Sequence, residues 1–294
     1  MTTTLRQIVP PAVEPVALAD LKGVLRLDAG DSSWDATLTK YLLAARVAFE
    51  SATRIRLITQ TWILRAESFP GISARYDRNG FPSLALPFPP FQSVDFVNYV
   101  DTAGNVDPLL RDTSYGNDLP GFYGYQLEPG GGIQPARLTP FWARPWPPQR
   151  LIPANTIVQF RCGYGGPLTV SLAQNSTALT APGFVFNSDQ APQLVGDTGA
   201  KIRIPGAGPT VNSIATDLVT YVASVDSQGH AVLKDSASIG VTGVTAWLGH
   251  PVPEQIQLAI LFHAQRFFEK GAVTDEAMPR VIDTLRGPYK NWVS

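Results

Sequence analysis

The 294-residue chain is poor in the residues that build chemistry: it has one cysteine, three histidines and two methionines. A lone thiol, Cys162, excludes an intramolecular disulfide and any multi-cysteine metal site. It lies in the strand-like run VQFRCGYG and reads as a small buried apolar residue. His230, His250 and His263 are too far apart for the i, i+4 pair of a helical metal site, and neither a His-Glu-x-x-His nor a Gly-x-Ser-x-Gly motif occurs. Carboxylates are scattered; whether two meet in a cleft, as in glycosidases, is left for the fold to decide. Charge is scarce too, at 16% of residues against about 25% in ordinary soluble domains. With 23 basic and 24 acidic side chains, neither sign is in excess to grip DNA or a membrane surface. No run approaches about 18 consecutive apolar residues. The opening MTTTLRQIVPP has no apolar core of signal-peptide length. The expectation is a chain made and kept in a cytoplasm, or in a particle assembled there, with the sequon at Asn175 left idle. What the chain has in quantity is apolar surface (44%) together with 25 glycines and 26 prolines. A sequence so poor in charge, yet without a disordered composition, points to surfaces covered by partners.

The stretch 35–69, DATLTKYLLAARVAFESATRIRLITQTWILRAESF, organises the rest. Leu38, Tyr41, Leu42, Ala45, Ala48, Phe49 and Ala52 recur at the three-and-four spacing of one helix face. Asp35 stands where an N-cap or first-turn acid belongs. From Ile55 to Leu64 the residues turn β-branched and aromatic, placing Ile58, Trp62 and Leu64 on one side of a strand. Arg46 and Glu50 stand four apart, a spacing that allows an intrahelical ion pair of about 0.3 kcal/mol. The basic residues Arg46, Arg54, Arg56 and Arg65 otherwise read as a solvated face.

Ahead of this unit, residues 1–16 read as an extended Pro-rich arm, and Leu18, Leu21, Leu25 and Leu27 mark a short helix over 17–26. The loop DAGDSSW lacks the alternating ligands and terminal Glu of a calcium loop and reads as solvated. Behind it, residues 70–92 are rich in breakers, with a tight turn at 78–80. SVDFVNYVD alternates over Val94, Phe96, Asn98 and Val100 and ends in a turn over 101–105, predicting a hairpin. Further strands are expected around Tyr115, 125–127 and 136–138. The glycines at 130–132 lack the Gly-Lys-Ser/Thr and following helix of a phosphate loop, so they read as a turn. PFWARPWPP over 140–148 is either a rigid segment laid on the core or an exposed aromatic contact surface.

Residues 167–250 change character: rich in Ser, Thr, Val, Gly and Ala, they contain three Lys or Arg. Alternating runs at 178–186, 201–204, 218–225, 231–233 and 243–248 predict a small all-β module. After it, Pro253 and Glu254 open a second amphipathic helix, 253–270, with Ile256, Ala259, Ile260, His263 and Phe267 on one face and Gly271 as its stop. His263 at the edge of that face reads as structural. A short helix over 279–286, with Val281, Ile282 and Leu285 inward, leads to the tail GPYKNWVS.

PVALADLKGVLRL, the longer helix, LITQTWILR and the closing LRGPYKNW together resemble the head–tail connector (adaptor) proteins of long-tailed bacteriophages. The resemblance covers residues 13–166 and 251–294. DTGAKIRIPGAG, followed by strands ending in Trp247, Leu248 and Gly249, resembles a β module found near the N-termini of phage tail-spike and tail-fibre proteins. The fold class so expected is α+β: a small helical bundle packed on a β region, 1–166 and 251–294, with an all-β module, 167–250, inserted in a loop. The resemblance implies a structural virion protein at the head–tail neck, assembled in the bacterial cytoplasm. Copies would form a twelve-fold ring between the portal and a tail-side neck or completion protein, with packaged DNA passing through without sequence-specific binding. It implies portal contact through the C-terminal segment, where Arg286, Tyr289, Lys290 and Trp292 are the candidates. Arg46, Glu50, Arg54 and Arg56 are candidates for the ring interface or the channel. No catalytic, metal or cofactor site is expected, and no membrane contact. The alternative reading is a decoration or attachment protein acting on a host, glycan or fibre through the inserted module, and an enzyme is disfavoured by the missing constellations.

Overall fold

The computed structural model describes residues 3–69, 82–111, 123–128, 134–140, 145–150, 152–186, 190–191, 199–226 and 230–270. The turns expected at 78–80 and 130–132, the strand near Tyr115 and everything after residue 270 lie outside them. The described chain is a mixed α+β structure of three helices, two sheets, a closed six-stranded barrel and a small hairpin.

The helices α1 (Leu18–Leu25), α2 (Asp35–Thr53) and α3 (Glu254–Lys270) share one core. Leu21, Leu38, Leu42, Ala45, Phe49, Ile256 and Ile260 meet in it, so the last described helix closes on the first two. Burying each of the larger side chains contributes about 1.5–3 kcal/mol. The buried stripe of α2 is rotated from the one read in the sequence. Ala52 is exposed, while Arg46, Glu50 and Thr53 are inside with Phe49. The sequence stripe counts apolar residues only, and here polar side chains with partners occupy core positions.

A five-stranded antiparallel sheet runs β1 (Thr3–Val9), β2 (Gln60–Ala66), β9 (Thr156–Cys162), β4 (Phe91–Val100), β5 (Val106–Pro108). The N-terminal arm is thus a paired edge strand. In β9, Thr156, Val158, Phe160 and Cys162 alternate inward, the period of two expected of a strand with one buried face. β4 departs from the alternation read in its sequence. Val94, Val97 and Tyr99 are buried, while Phe96, Asn98 and Val100 are half-buried. The register against β9 shifts between Val94 and Phe96, and one extra residue there exchanges the two faces. A second sheet, β3 (Leu84–Leu86), β8 (Ala136–Pro140), β7 (Gly124–Glu128), β6 (Leu110–Arg111), shares a core with the first through Leu86, Leu138, Tyr125, Val158 and Phe160. Trp146 lies in this core, stacked on Phe69 at 4.4 Å with the rings 5° from parallel, so this tryptophan of PFWARPWPP is laid on the core.

The barrel runs β10 (Gly165–Leu172), β11 (Ala178–Thr180), β16 (Ala231–Leu233), β15 (Leu218–Val225), β12 (Lys201–Ile204), β17 (Val241–Gly249) and closes from β17 back to β10. Closure leaves no sheet edge exposed around it. Its interior is filled by Val170, Leu172, Leu179, Ile202, Ile204, Val222 and Ala246. The expected runs at 201–204, 218–225 and 231–233 are β12, β15 and β16. The run at 178–186 is strand for three residues only, and β10, beginning at Gly165, is a barrel strand that sequence reading divided between the two regions. A two-stranded hairpin, β13 (Thr210–Val211) with β14 (Ile214–Ala215), stands between β12 and β15.

The two ends of the barrel segment meet: Gly165 pairs with Gly249 in adjacent strands. A loop whose ends are already close accepts an insertion at little entropic cost. The junction is stitched by backbone bonds from Thr59 N to Gly165 O (2.9 Å), Tyr164 N to Leu57 O (3.2 Å), His250 N to Tyr164 O (2.8 Å) and Gly163 N to Pro90 O (2.8 Å). There is no room for side chains: a Cβ at Gly163, where φ is +126°, would lie 2.5 Å from Ile58 O, and one at Gly165 2.7 Å from Leu248 O. A further clamp comes from Arg161, which pairs with Asp95 (3.0 Å), donates to Val185 O (3.2 Å) and lies over the Phe184 ring at 4.9 Å.

Replacing residues 167–250 by a short Gly/Ser linker is expected to leave a folded, helical host that melts cooperatively, since three of these four stitches lie among residues outside the cut. Loss of helical circular dichroism in that variant would show that the barrel is part of the host's folding unit.

Candidate functional site

The helix–strand unit concentrates the buried charge of the chain. Helix α2 ends where Arg54 takes a left-handed conformation (φ +58°), its N–H donating to Glu50 O at 2.9 Å. Glycine is the usual residue there; arginine makes the same turn at a backbone cost. The chain then reverses into β2, and the reversal folds around the carboxylate of Glu50, which is 6% exposed. Its Oε1 accepts from Leu57 N (3.0 Å) and Gln60 Nε2 (3.0 Å), and its Oε2 from Arg46 Nη1 (3.1 Å). Arg46, also 6% exposed, donates through Nε to Glu14 Oε2 at 2.8 Å. Gln60 Oε1 accepts from Gln7 of β1 (2.8 Å) and from Trp62 Nε1 (3.2 Å). One connected set of polar groups therefore joins the arm, α2, the reversal and β2. A buried carboxylate held this way is compensated by hydrogen bonds from every side.

Arg56 is half-buried. Its guanidinium lies 3.7 Å over the Phe88 ring centroid and 5.1 Å from that of Trp62, and Nη1 donates to Glu50 O at 3.1 Å. Burial lowers its pKa, opposed by the nearby Glu50 charge. Arg54 is exposed. Of the four candidates read from sequence, Arg46 and Glu50 are thus engaged inside the chain, Arg56 lies over the contacting Phe88 and Trp62 rings, and Arg54 faces solvent. The solvated face expected of Arg46, Arg54, Arg56 and Arg65 holds for Arg54 and Arg65, both exposed. Sequence reading found the Arg46–Glu50 pair from its spacing but missed Gln60, Gln7 and Glu14. The available signal was a glutamine at a position of β2 that packs inward.

The exposed apolar residues fall elsewhere. On the outer side of α2, Leu43 (45% exposed) and Val47 (50%) stand four apart, and Arg54 lies at the end of the same stripe. The edge strand β1 is exposed along its whole length and carries Leu5, Ile8 and Val9.

Elsewhere, Lys22 is buried and its ammonium meets Asp35 (2.5 Å) and the carbonyl of Asp31 (2.7 Å), so a side-chain cation organises the loop DAGDSSW. His263 is buried and stacked on Phe267 at 4.7 Å, His230 pairs with Asp226 at 3.0 Å, and the two sites are separate. Cys162 is fully buried in the sheet core, which pushes its thiol far above the ordinary range, and burial pushes Tyr125 up to about 12. Among the described residues no group of three His, Cys, Asp or Glu side chains is placed to hold a metal ion, and no helix is long and apolar enough to cross a membrane. The C-terminal candidates Arg286, Tyr289, Lys290 and Trp292 lie outside the described residues.

The Glu50 network sets a stability test. Glu50→Ala takes the acceptor from Arg46 Nη1, Gln60 Nε2 and the Leu57 N–H together and is expected to cost about 3 kcal/mol or more. Arg54→Gly, which relieves the left-handed turn, is expected to match or exceed the parent in stability. Chemical denaturation of both variants checks the pair of outcomes.

No family model matches the chain, and no curated protein matches it. Among solved structures it aligns with a chain from the neck of an empty GTA particle with C6 symmetry, at 18% identity and TM-score 0.49, covering 98% of this chain and 95% of that one. A chain from the virion of a native gene transfer agent particle aligns at 15% identity and TM-score 0.47, with 97% and 94% covered. A chain from the neck of a native GTA particle with C12 symmetry aligns at 16% identity and TM-score 0.47, with 98% and 94% covered.

Proposed function

We propose that the chain is a structural connector of a phage or phage-like particle, forming a ring between the portal and a tail-side neck protein. The observation that carries this reading is the helix–reversal–strand unit of residues 35–66, the same stretch on which the sequence resemblance to head–tail connectors rests. Its buried polar groups hold its own shape, while its outer side exposes Leu43 and Val47. A closed ring is built from heterologous contacts, in which two different surfaces of each copy meet. The chain offers two such surfaces, the Leu43–Val47 stripe with Arg54 at its end and the edge strand β1. Balanced charge suits a channel through which DNA passes without being held.

In this reading residues 1–166 and 251–294 form the connector core and 167–250 an inserted module directed away from the channel, where a barrel would obstruct passage. The ring is twelve-fold. The protein resides in the virion neck after assembly in the host cytoplasm.

Native mass and particle symmetry of the purified chain, alone and mixed with its portal, test the proposal. A closed ring is expected in at least the mixture; a monomer in both conditions overturns it. Leu43→Glu and Val47→Glu are expected to melt like the parent and fail to close the ring, because each places a carboxylate in an apolar contact.

The portal contact is assigned to residues 279–294. After Gly287 and Pro288, Tyr289 and Trp292 are aromatic anchors of the kind that contribute about 2 kcal/mol or more when buried at an interface, with Arg286 and Lys290 as a charged rim. Truncation after Gly287 is expected to leave melting unchanged and abolish portal binding. A truncated chain that melts far below the parent would show instead that the rings belong to the monomer's own core.

A further inference from the structure

Outside the helix–strand unit, an open cavity of about 350 Å³ lies on the wall of the barrel, lined by Arg203, Pro205, Asp217, Thr245, Ala246 and Trp247. Two of its lining residues, Trp247 and Arg203, belong to a row of side chains crossing four adjacent strands. Pro167 of β10 pairs with Trp247 of β17, Trp247 with Arg203 of β12, and Arg203 with Val219 of β15. Their strand neighbours Leu168, Leu248, Ile202 and Leu218 are buried in the barrel, so the row itself faces outward. Trp247 is the large aromatic of the row. Its Nε1 donates to His250 O at 3.2 Å and its ring also packs against the helical core, which fixes the indole in place. Beside it the Arg203 guanidinium contacts Asp217 through both Nε and Nη2 at 2.6 Å, and Asp217 Oδ1 accepts from Gly206 N at 3.3 Å. The Arg203 side chain is 66% exposed. The β13–β14 hairpin rises from the same rim, between Pro205 and Asp217.

We propose that this cleft is a binding site for a neutral saccharide. A pyranose presents a face of C–H groups and a rim of neighbouring hydroxyls. The fixed indole receives the face, and the ion pair receives two adjacent hydroxyls through Arg203 Nη1 and Asp217 Oδ1, which stand outside the Nε/Nη2–Oδ2 contact. Ligand sites of this kind combine an apolar wall with a few polar groups that set orientation. An anion is the poorer fit, because Asp217 already neutralises Arg203. A protein partner is poorer too, because Trp247 and Pro205 supply the cleft's large apolar side chains, Ala246 pointing into the barrel. The indole, held by His250 O and the helical core, loses little freedom on binding. The proposal concerns the barrel alone and stands apart from the connector reading.

The test titrates maltoheptaose, mannohexaose and chitohexaose into the isotope-labelled full-length chain, following the indole N–H resonance of Trp247. At least one is expected to shift that resonance to saturation. Asp217→Asn and Arg203→Ala are expected to weaken the response about tenfold or more, with melting unchanged, since each removes one half of the hydroxyl-binding pair. A Trp247 resonance unmoved by all three sugars overturns the proposal. So does a response that survives both substitutions, or one given by polygalacturonate and by none of the neutral sugars.

Discussion

The buried carboxylate of Glu50 is the constraint on which the helical half of the molecule depends. A charge 6% exposed must be compensated where it sits, and the groups that do so come from three parts of the chain: Arg46 one turn back on α2, the Leu57 amide in the reversal and Gln60 in β2. Because those bonds are directional, the carboxylate fixes the angle at which the chain leaves α2 and enters the sheet. Gln60 passes the constraint to Gln7 on the edge strand, and Arg46 passes it to Glu14 ahead of α1. An apolar residue of similar volume would fill the same space without specifying the reversal. The polar network costs desolvation and returns a single geometry.

A second constraint sets the barrel on the host. Gly163, Gly165 and Gly249 form a junction too tight for side chains, and backbone hydrogen bonds from Thr59, Tyr164 and His250 cross it. Arg161 adds a contact away from the junction by reaching Phe184 and Val185 from the sheet. Two points of attachment restrain rotation in a way that one hinge does not. The barrel is therefore mounted at a defined orientation, and whatever its wall binds is held at a defined place relative to the helices.

Much of this was legible in the sequence, for physical reasons that differ by element. The three helices announce themselves because a stripe of apolar residues at 3.6 spacing has no other use. Strands β12, β15 and β16 were bounded to the residue because turn-forming residues flank short alternating runs. The inward set of β4 was misread because a bulge exchanges faces without any composition signal. The buried stripe of α2 was misplaced because Arg46, Glu50 and Thr53 count as surface residues until their partners are known. Strand β10 was divided between two regions because its pairing with β17, some 80 residues on, is a long-range fact. The cleft on the barrel was invisible for the same reason: Trp247, Arg203 and Asp217 become neighbours only through strand pairing.

The scarcity of charge acquires a structural meaning once the ion pairs are located. Lys22, Arg46, Glu50, Asp95 and Arg161 are spent inside the molecule, on a loop, a chain reversal and a clamp. That leaves the outer stripe of α2 and the edge strand β1 with apolar groups in water. An open edge strand carrying Leu5, Ile8 and Val9 also presents unpaired backbone donors and acceptors, a template for unwanted pairing unless something covers it. Soluble monomers commonly guard such edges with charge, and β1 has only Arg6. The chain thus withholds its charge from the surfaces where a monomer needs it and invests it where a fixed shape needs it. That distribution suits a subunit whose exposed apolar surfaces are completed by its neighbours in an assembly.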